Sequence, residues 1–336
     1  MGALCPKLGF ARREKGGYLR SVVTSPNAAV GRLAPSPTGA LHLGNARSFL
    51  LAWLSIRSRG GTLLCRIDDI DGPRVKEGAI DEALADLEWL GLDFDAEPIL
   101  QSARAHVYDL ALDHLKQRGM VYPCVCTRTE IERAQSAPQE SLDHGSRYPG
   151  ICRDRFASAE AAREATGRDP AWRFVVDDGI VAFEDAIHGH VTIDVAADSG
   201  DFVVAKKDGQ PAYQLATVVD DGDFSVTEVL RGDDLLASTP RQILLMQALG
   251  FPEPRWIHVP LIVGADGRRL AKRHGDTRIA WYRRRGISSE ELIGFLAWTC
   301  GLIDEREPRT AASLVDGFDV QRIVREATVL EQDPFA

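Results

Sequence analysis

Residues 34–45 read "APSPTGALHLGN". They stand between a short apolar run, "AVGRL" (29–33), and a helical pattern, "NARSFLLAWLSIRSRG" (45–60), closed by Gly60 and Gly61. Two prolines, two glycines and a histidine with almost no charge are more constraint than a plain connection needs. A loop that must bring backbone amides against an anion does need it. Gly39 and Gly44 remove the Cβ that would keep a phosphate away, and the helix starting near Gly44 turns its positive end to the same point. His42 adds a side-chain donor. For a generic glycine-rich loop a rigid turn without ligand is the better reading. Here the run P-S-P-T-G followed by L-H-L-G is far more specific.

Outward from this loop, "TLLCRIDDID" (62–71) predicts a strand that runs into a carboxylate cluster. "AIDEALADLEWLGL" (79–92) and "AHVYDLALDHLKQRG" (105–119) carry amphipathic helical spacing. Strand, helix, strand, helix at this spacing predicts an α/β fold with a parallel sheet, whose ligands sit at the carboxyl edge where the opening loop stands. The rhythm breaks over 121–200 and resumes with "DFVVAKKDGQPAYQLATVVDD", "FSVTEVLRG" and "TPRQILLMQALG". The expected division is a leader or disordered extension (1–29), the first half of the sheet domain (30–120), an insertion (121–200), the second half (201–260) and a basic loop with a short helical C-terminal segment (261–336). In that last part Ser288 and Glu291 stand at capping-box spacing.

The 336 residues are 44% apolar and 26% charged, which suits a globular chain of two domains or one with insertions. A net charge of -9 argues against a protein coated in basic residues, though not against a local basic face. No apolar run approaches a membrane span, so no membrane partner is expected. The cysteines do not read as a disulfide framework, and a reducing, cytoplasmic setting is expected. Residues 1–30 hold five basic side chains and one acid without a signal-peptide core; a transit segment and a disordered extension both remain open. Cys124, Cys126 and Cys152 give a C-x-C pair plus a third thiol, a donor set that suits zinc once a fourth ligand is supplied. His144 is one candidate for that ligand.

The run P-S-P-T-G-x-L-H-x-G resembles the HIGH region of class I glutamyl-type aminoacyl-tRNA synthetases, with His42-Leu43-Gly44-Asn45 as the variant tetrapeptide. "GRRLAKRHGD" (267–276) is similar to that family's KMSKS-type loop, and "YQLATVVDD" and "VTEVLRGDDL" match between the two landmarks. The resemblance runs from about Gly31 to Leu302. It implies a class I, Rossmann-like parallel sheet, adenylation of L-glutamate by ATP, and transfer to tRNA. His42 and Lys272 are implied as catalytic groups. ATP, with Mg2+, is implied to lie on Pro35, Gly39, His42, Gly44, Asn45 and Lys272. Glutamate is implied to lie on Arg32, Leu33, Ala34, Pro35, Ser36, Asp68, Tyr213 and Arg231. The chemistry agrees: two carboxylates suit two guanidinium forks, and Tyr213 adds a hydroxyl. Asp68 stands where the family commonly has Glu, so the ammonium is reached through water or by a backbone shift. Arg269 and Ala271 replace the commoner Lys and Ser.

Long members of the family end in a large helical anticodon-reading domain, for which the residues after the KMSKS-type loop are too few. The chain resembles the short branch, the glutamyl-Q tRNA(Asp) synthetases, whose acceptor is queuosine in the anticodon of tRNA(Asp). There a tyrosine four residues before the third cysteine completes the zinc site, and Tyr148 is in that place. The position two residues after that cysteine, a histidine in long zinc-binding members, is Asp154. One structural zinc on Cys124, Cys126, Tyr148 and Cys152 is therefore implied, together with activation that needs no RNA. A monomer is expected. Arg268, Arg269, Lys272, Arg273 and Arg283 to Arg285 are the expected phosphate contacts. A truncated glutamyl-tRNA synthetase charging tRNA(Glu) is the alternative. A nucleotidyltransferase and a non-catalytic RNA-binding paralogue are opposed by the glutamate-pocket residues and by His42 with Lys272.

Overall fold

A computed structural model describes residues 28–70, 74–134, 147–177, 179–270 and 276–336. The apolar run before the opening loop forms β1 (Val30–Leu33), buried at every position, and the helical pattern after it forms α1 (Leu43–Arg57). Then follow β2 (Thr62–Ile67), α2 (Ala79–Trp89), β3 (Ile99–Leu100), α3 (Ala105–Gln117), β4 (Val121–Cys124), α4 (Arg128–Ala134), α5 (Ala159–Thr166), β5 (Ala171–Phe174), β6 (Ile180–Asp185), β7 (Gly189–Asp194) and α6 (Val195–Asp198). The chain continues through β8 (Phe202–Ala205), α7 (Tyr213–Asp223), β9 (Glu228–Gly232), α8 (Thr239–Leu249), β10 (Arg255–Val259), β11 (Ile262–Gly264), α9 (Ile279–Arg284), α10 (Ser289–Thr299) and β12 (Thr328–Leu330).

Strands β1, β2 and β3 pair in parallel, as do β9, β10 and β6, with β7 antiparallel at the edge. Thr227 joins the two groups: its amide donates to Val30 O at 2.9 Å, and its hydroxyl accepts from Val30 N at 2.9 Å. The resulting run β3-β2-β1-β9-β10-β6 reverses direction between β1 and β9, the place where a doubly wound sheet leaves a crevice. One apolar cluster holds α1 with residues of α2, α9 and α10; a second holds residues of α3, α7 and α8. Helices on both faces explain why β1, β2 and β9 are buried along nearly their whole length.

Three features differ from the expectation. Ile180–Asp185, inside the expected insertion, alternates exposed and buried residues and pairs in parallel with β10. Phe202–Ala205, expected in the resumed sheet, instead completes the antiparallel sheet β4-β5-β8. Alternation and apolarity mark a strand, but neither says which sheet receives it. After α10, whose capping box does form on Ser288 and Glu291, the chain runs through short 3-10 turns to β12. Residues 304–310, with five charges and Pro308, carry no helical apolar spacing. Lys272 with Ala271 and Arg273, as well as His144, Asp71 and residues 1–27, lie outside the described residues. Among the described residues no helix is long and apolar enough to cross a membrane.

Gly31 lets α1 sit close on β1: a Cβ there would stand 2.5 Å from Ile56 Cγ1. Gly31→Val is expected to lower stability by about 2 kcal/mol through overpacking, read as a shifted denaturant midpoint at constant slope.

Candidate active site

The loop reaches the carboxyl edge of β1 and is pinned there. Asp68 N donates to Pro35 O at 3.0 Å and Lys76 N to Pro37 O at 3.2 Å. His42 is the N-cap of α1: its Nδ1 accepts from Gly44 N at 3.1 Å and Asn45 N at 3.4 Å, while Asn45 Oδ1 accepts from His42 N at 3.3 Å. Leu43 N donates to Thr277 O at 3.0 Å. The first amides of α1 are thus engaged within the chain. This corrects the expectation that Gly44 presents its amide to a phosphate. Gly44 is small for another reason, since a Cβ would stand 3.0 Å from His42 Cε1. Gly39 behaves differently. A Cβ there meets nothing within 4 Å, and its backbone is not left-handed, so neither packing nor strain demands glycine. The space beside it belongs to the cavity.

Because Nδ1 accepts, the proton of a neutral His42 sits on Nε2. Burial, and then the Arg269 guanidinium, lower its pKa to about 4, so the ring is neutral at ordinary pH. His42 is therefore a neutral donor through Nε2 and not a cation.

A cavity of about 350 Å³ opens between the loop, β1, β2 and β9. Arg32, Ala34, Pro35, Ser36, Gly39, His42, Gly44, Asn45, Asp68, Tyr213 and Arg231 line it. Leu33 does not: it is fully buried in the core beneath α1, because successive strand residues face opposite ways and Arg32 takes the cavity side. Leu33 is thus corrected from ligand contact to core.

Three arginines are buried at this edge, Arg32, Arg66 and Arg231. Arg66, at the end of β2, donates to Asp68 Oδ1 at 2.7 Å and Asp221 Oδ1 at 2.6 Å. Burial opposes its charge, yet Asp68, Asp221 and Asp220 hold its pKa well above the usual value. Arg32 Nε lies 3.4 Å from Asp221 Oδ1. Among the described residues Arg231 hydrogen-bonds only neutral groups, His258 Nε2 at 3.0 Å and Thr239 Oγ1 at 2.8 Å, with Leu235 O at 3.5 Å. Its other terminal nitrogen is buried with no hydrogen-bond partner among the described residues. Burial lowers its pKa. Asp68 keeps its place on the cavity wall but shares its carboxylate with Arg66, while burial pushes its carboxyl up. Asp69 is a turn cap, accepting from Ser102 N at 2.7 Å and Ser102 Oγ at 2.6 Å.

Arg66, Asp221, Thr239, His258 and Asp185 were not singled out from the sequence. The available signals were polar residues in or at the end of apolar stretches: the arginine in "LLCRI", the paired acids ending "LATVVDD", the histidine in "WIHVPLI". Of the basic cluster, Arg269 lines the cavity and donates to Asp234 Oδ2 at 2.8 Å. Arg285 faces the C-terminal residues instead, bonded to Asp333 and, at 2.9 Å, to Phe335 O.

In the antiparallel sheet region, the Sγ atoms of Cys124, Cys126 and Cys152 lie within 4.8 Å of one another. Tyr148 Oη is 3.3 Å from Cys124 Sγ and 3.6 Å from Cys126 Sγ, and accepts from Cys152 N at 2.9 Å. Gly200, left-handed at φ 65°, admits Tyr148: a Cβ would stand 2.4 Å from Tyr148 O. Asp154 is exposed.

Two outcomes are expected from His42. Asn is itself a strong N-cap, so His42→Asn should keep the cap of α1 while deleting the Nε2 donor. Thermal stability should then stay near that of the parent, while any phosphate chemistry at the cavity falls on the order of 100-fold. Both His42 and the buried His258 have pKa values lowered to about 4, against about 6.5 unfolded. Below pH 6.5 the unfolded chain binds more protons, so stability should fall as pH drops from about 6.5 to 4, by about 3 kcal/mol for each ring in urea titrations.

Residues 29–332 match the family of class I tRNA synthetases (E and Q), catalytic domain. The chain is 47% identical over 314 residues to a glutamyl-Q tRNA(Asp) synthetase of Symbiobacterium thermophilum, covering 91% of this chain and 97% of that one. It is 39% identical to a glutamate–tRNA ligase of Heliobacterium modesticaldum, covering 89% of this chain and 62% of that enzyme. The crystal structure of a glutamate-tRNA synthetase from Elizabethkingia anophelis superposes with a TM-score of 0.76 at 25% identity, over 90% of this chain and 68% of that one. A parallel sheet with its crevice at the reversal of strand order, a His-bearing loop over it and this match across most of the chain place the protein in the class I glutamyl-type tRNA synthetase family, in the branch of the glutamyl-Q tRNA(Asp) synthetases.

Proposed function

We propose that this chain uses ATP to activate L-glutamate as glutamyl-adenylate and transfers the glutamyl group to the queuosine base in the anticodon of tRNA(Asp), acting as a cytoplasmic monomer. One observation carries the glutamate part: the buried, unpartnered end of the Arg231 guanidinium beside Arg32 on the cavity that His42 and Tyr213 also line. A site with surplus buried positive charge suits a ligand with two carboxylates. Asp68 is the acid available to its ammonium. The acceptor is supported by the 47% identity to a short-branch relative, against 39% to a glutamate–tRNA ligase. Tyr148 among the three cysteines is consistent with it. Five described cysteines are free, which suits a reducing compartment.

In the activating step a glutamate carboxylate oxygen bonds to the α-phosphorus of ATP, and pyrophosphate leaves. Negative charge grows on the phosphate oxygens, so positioned donors do most of the work. His42 would donate through Nε2, with Pro35, Gly39 and Asn45 shaping the wall. Lys272, beyond the described residues, would meet the departing pyrophosphate, with Mg2+ on the nucleotide. In the second step a hydroxyl of the cyclopentenediol attacks the acyl carbon and AMP leaves.

The three thiols and the Tyr148 phenol fit a zinc ion. Zinc–ligand bonds of roughly 2.3 Å to sulfur and 2.0 Å to oxygen place S and O about 3.5 Å apart in a tetrahedron, close to the spacing found here. Burial pushes the Cys124 thiol up, but the Tyr148 hydroxyl and the Arg173 guanidinium bring it below its usual value, which favours the thiolate a metal needs. Four protein ligands close the site, so the metal would stabilise the local fold.

Glutamate-dependent ATP–pyrophosphate exchange is expected without tRNA, and Lys272→Ala should reduce it on the order of 100-fold. Labelled glutamate should pass to queuosine-containing tRNA(Asp), and neither to unmodified tRNA(Asp) nor to tRNA(Glu). Charging of tRNA(Glu) would establish the truncated glutamyl-tRNA synthetase instead. Elemental analysis should find one zinc per chain. Tyr148→Phe, which removes one oxygen ligand, should lower zinc affinity in chelator competition; unchanged affinity would assign the fourth position elsewhere.

A further inference from the structure

We propose that His258, held by Asp185, is the positioning residue that aims Arg231 at the ligand without neutralising it, and so lets the pocket choose a carboxylate side chain over a carboxamide. The proposal rests on the glutamate reading above. Arg231 on β9 and His258 on β10 are register partners. Arg231 Nε donates to His258 Nε2 at 3.0 Å, so that nitrogen must carry a lone pair. The ring proton then sits on Nδ1, 2.7 Å from Asp185 Oδ2. Asp185 is fixed in turn: Oδ2 accepts from His258 N at 3.0 Å, and Oδ1 from Ile187 N at 2.9 Å and His188 N at 3.0 Å. The ring is wholly buried, tilted 21° from Trp256 at 6.2 Å and met edge-on by Phe183 at 6.5 Å. Thr239 Oγ1 lies 3.0 Å from the same Nε2, and no second tautomer satisfies both Arg231 and Asp185.

The chemical identity of this support matters. Arg66 is gripped by carboxylates, and its charge is compensated within the chain. Arg231 receives an acceptor that carries no charge. The Asp185 carboxylate is separated from it by the imidazole. Arg231 is thereby oriented, with its Cζ also 5.3 Å over the Trp256 ring, while its charge stays available. A ligand carboxylate supplies the missing counter-charge. A carboxamide does not, and leaves a buried guanidinium uncompensated, the situation in which analogues are rejected by large factors.

The test is steady-state ATP–pyrophosphate exchange with the full chain. His258→Leu is expected to raise KM for glutamate about tenfold or more, with kcat within about threefold and KM for ATP unchanged. Its preference for glutamate over glutamine should narrow. His258→Gln, whose Oε1 offers an uncharged acceptor where Nε2 stood, should recover most of the KM. In an Arg231→Lys background, which has no Nε to be held, His258→Leu should add less than about twofold. Should the leucine variant fail to fold, Asp185→Asn keeps the ring in place while releasing its tautomer, and it too should raise KM for glutamate. An unchanged KM in folded His258→Leu or Asp185→Asn would overturn the proposal. So would a loss confined to kcat and thermal stability, or full additivity with Arg231→Lys. A parent chain that exchanges pyrophosphate with another amino acid and not with glutamate overturns the function itself, and the proposal falls with it.

Discussion

Three guanidiniums buried side by side at the carboxyl edge of one parallel sheet are the constraint to which the rest of the fold responds. Desolvating such charges costs several kcal/mol each unless partners surround them. The paired acids at the end of α7 and Asp68 beyond β2 satisfy Arg66 and reach Arg32. They can do so only because the Thr227–Val30 hydrogen bonds hold β9 against β1, so that three strand ends and one helix end converge. Arg231 is left with neutral support. The cavity is thus polarised by construction, with Arg66 and Arg32 beside carboxylates on one wall and Arg231 hydrogen-bonded to neutral groups on the other.

The opening loop meets a second constraint. A histidine that serves as helix cap cannot also be a cation, because its Nδ1 lone pair is occupied by two amides. The same arrangement fixes the tautomer and puts the proton on Nε2, which takes no part in the cap. Structure and chemistry therefore share one ring. Gly44 is small so that this ring fits over the first turn, whereas Gly39 is small next to open space.

Much of this was legible from the sequence for a physical reason. The first βα unit declares itself through period, turn residues and length, and the cavity residues from Arg32 to Asn45 are contiguous with it. A contiguous motif does not show that Leu33 turns into the core, because a strand presents only alternate residues to one face. Sheet membership of β6 and β8 was hidden because both pair with strands far away in the sequence. The carboxylates that hold Arg66 and the histidine that holds Arg231 were hidden similarly. Each lies in or at the end of an apolar stretch, and the partners are 155 residues apart for Arg66 with Asp221 and 27 for Arg231 with His258.

The return of the chain at β12 has a mechanical consequence. Thr328 N donates to Leu261 O at 3.0 Å, its hydroxyl donates to Thr299 O at 3.2 Å, and it accepts from Arg47 at 2.8 Å. Arg47 belongs to the helix that His42 caps, and it also bonds to Pro260 O. β12 itself pairs with β11, which leads directly towards residues 271–275. The helix that His42 caps and strand β11 are therefore both tied to one strand more than fifty residues downstream of either. A threonine outside the cavity wall therefore couples α1 to β11.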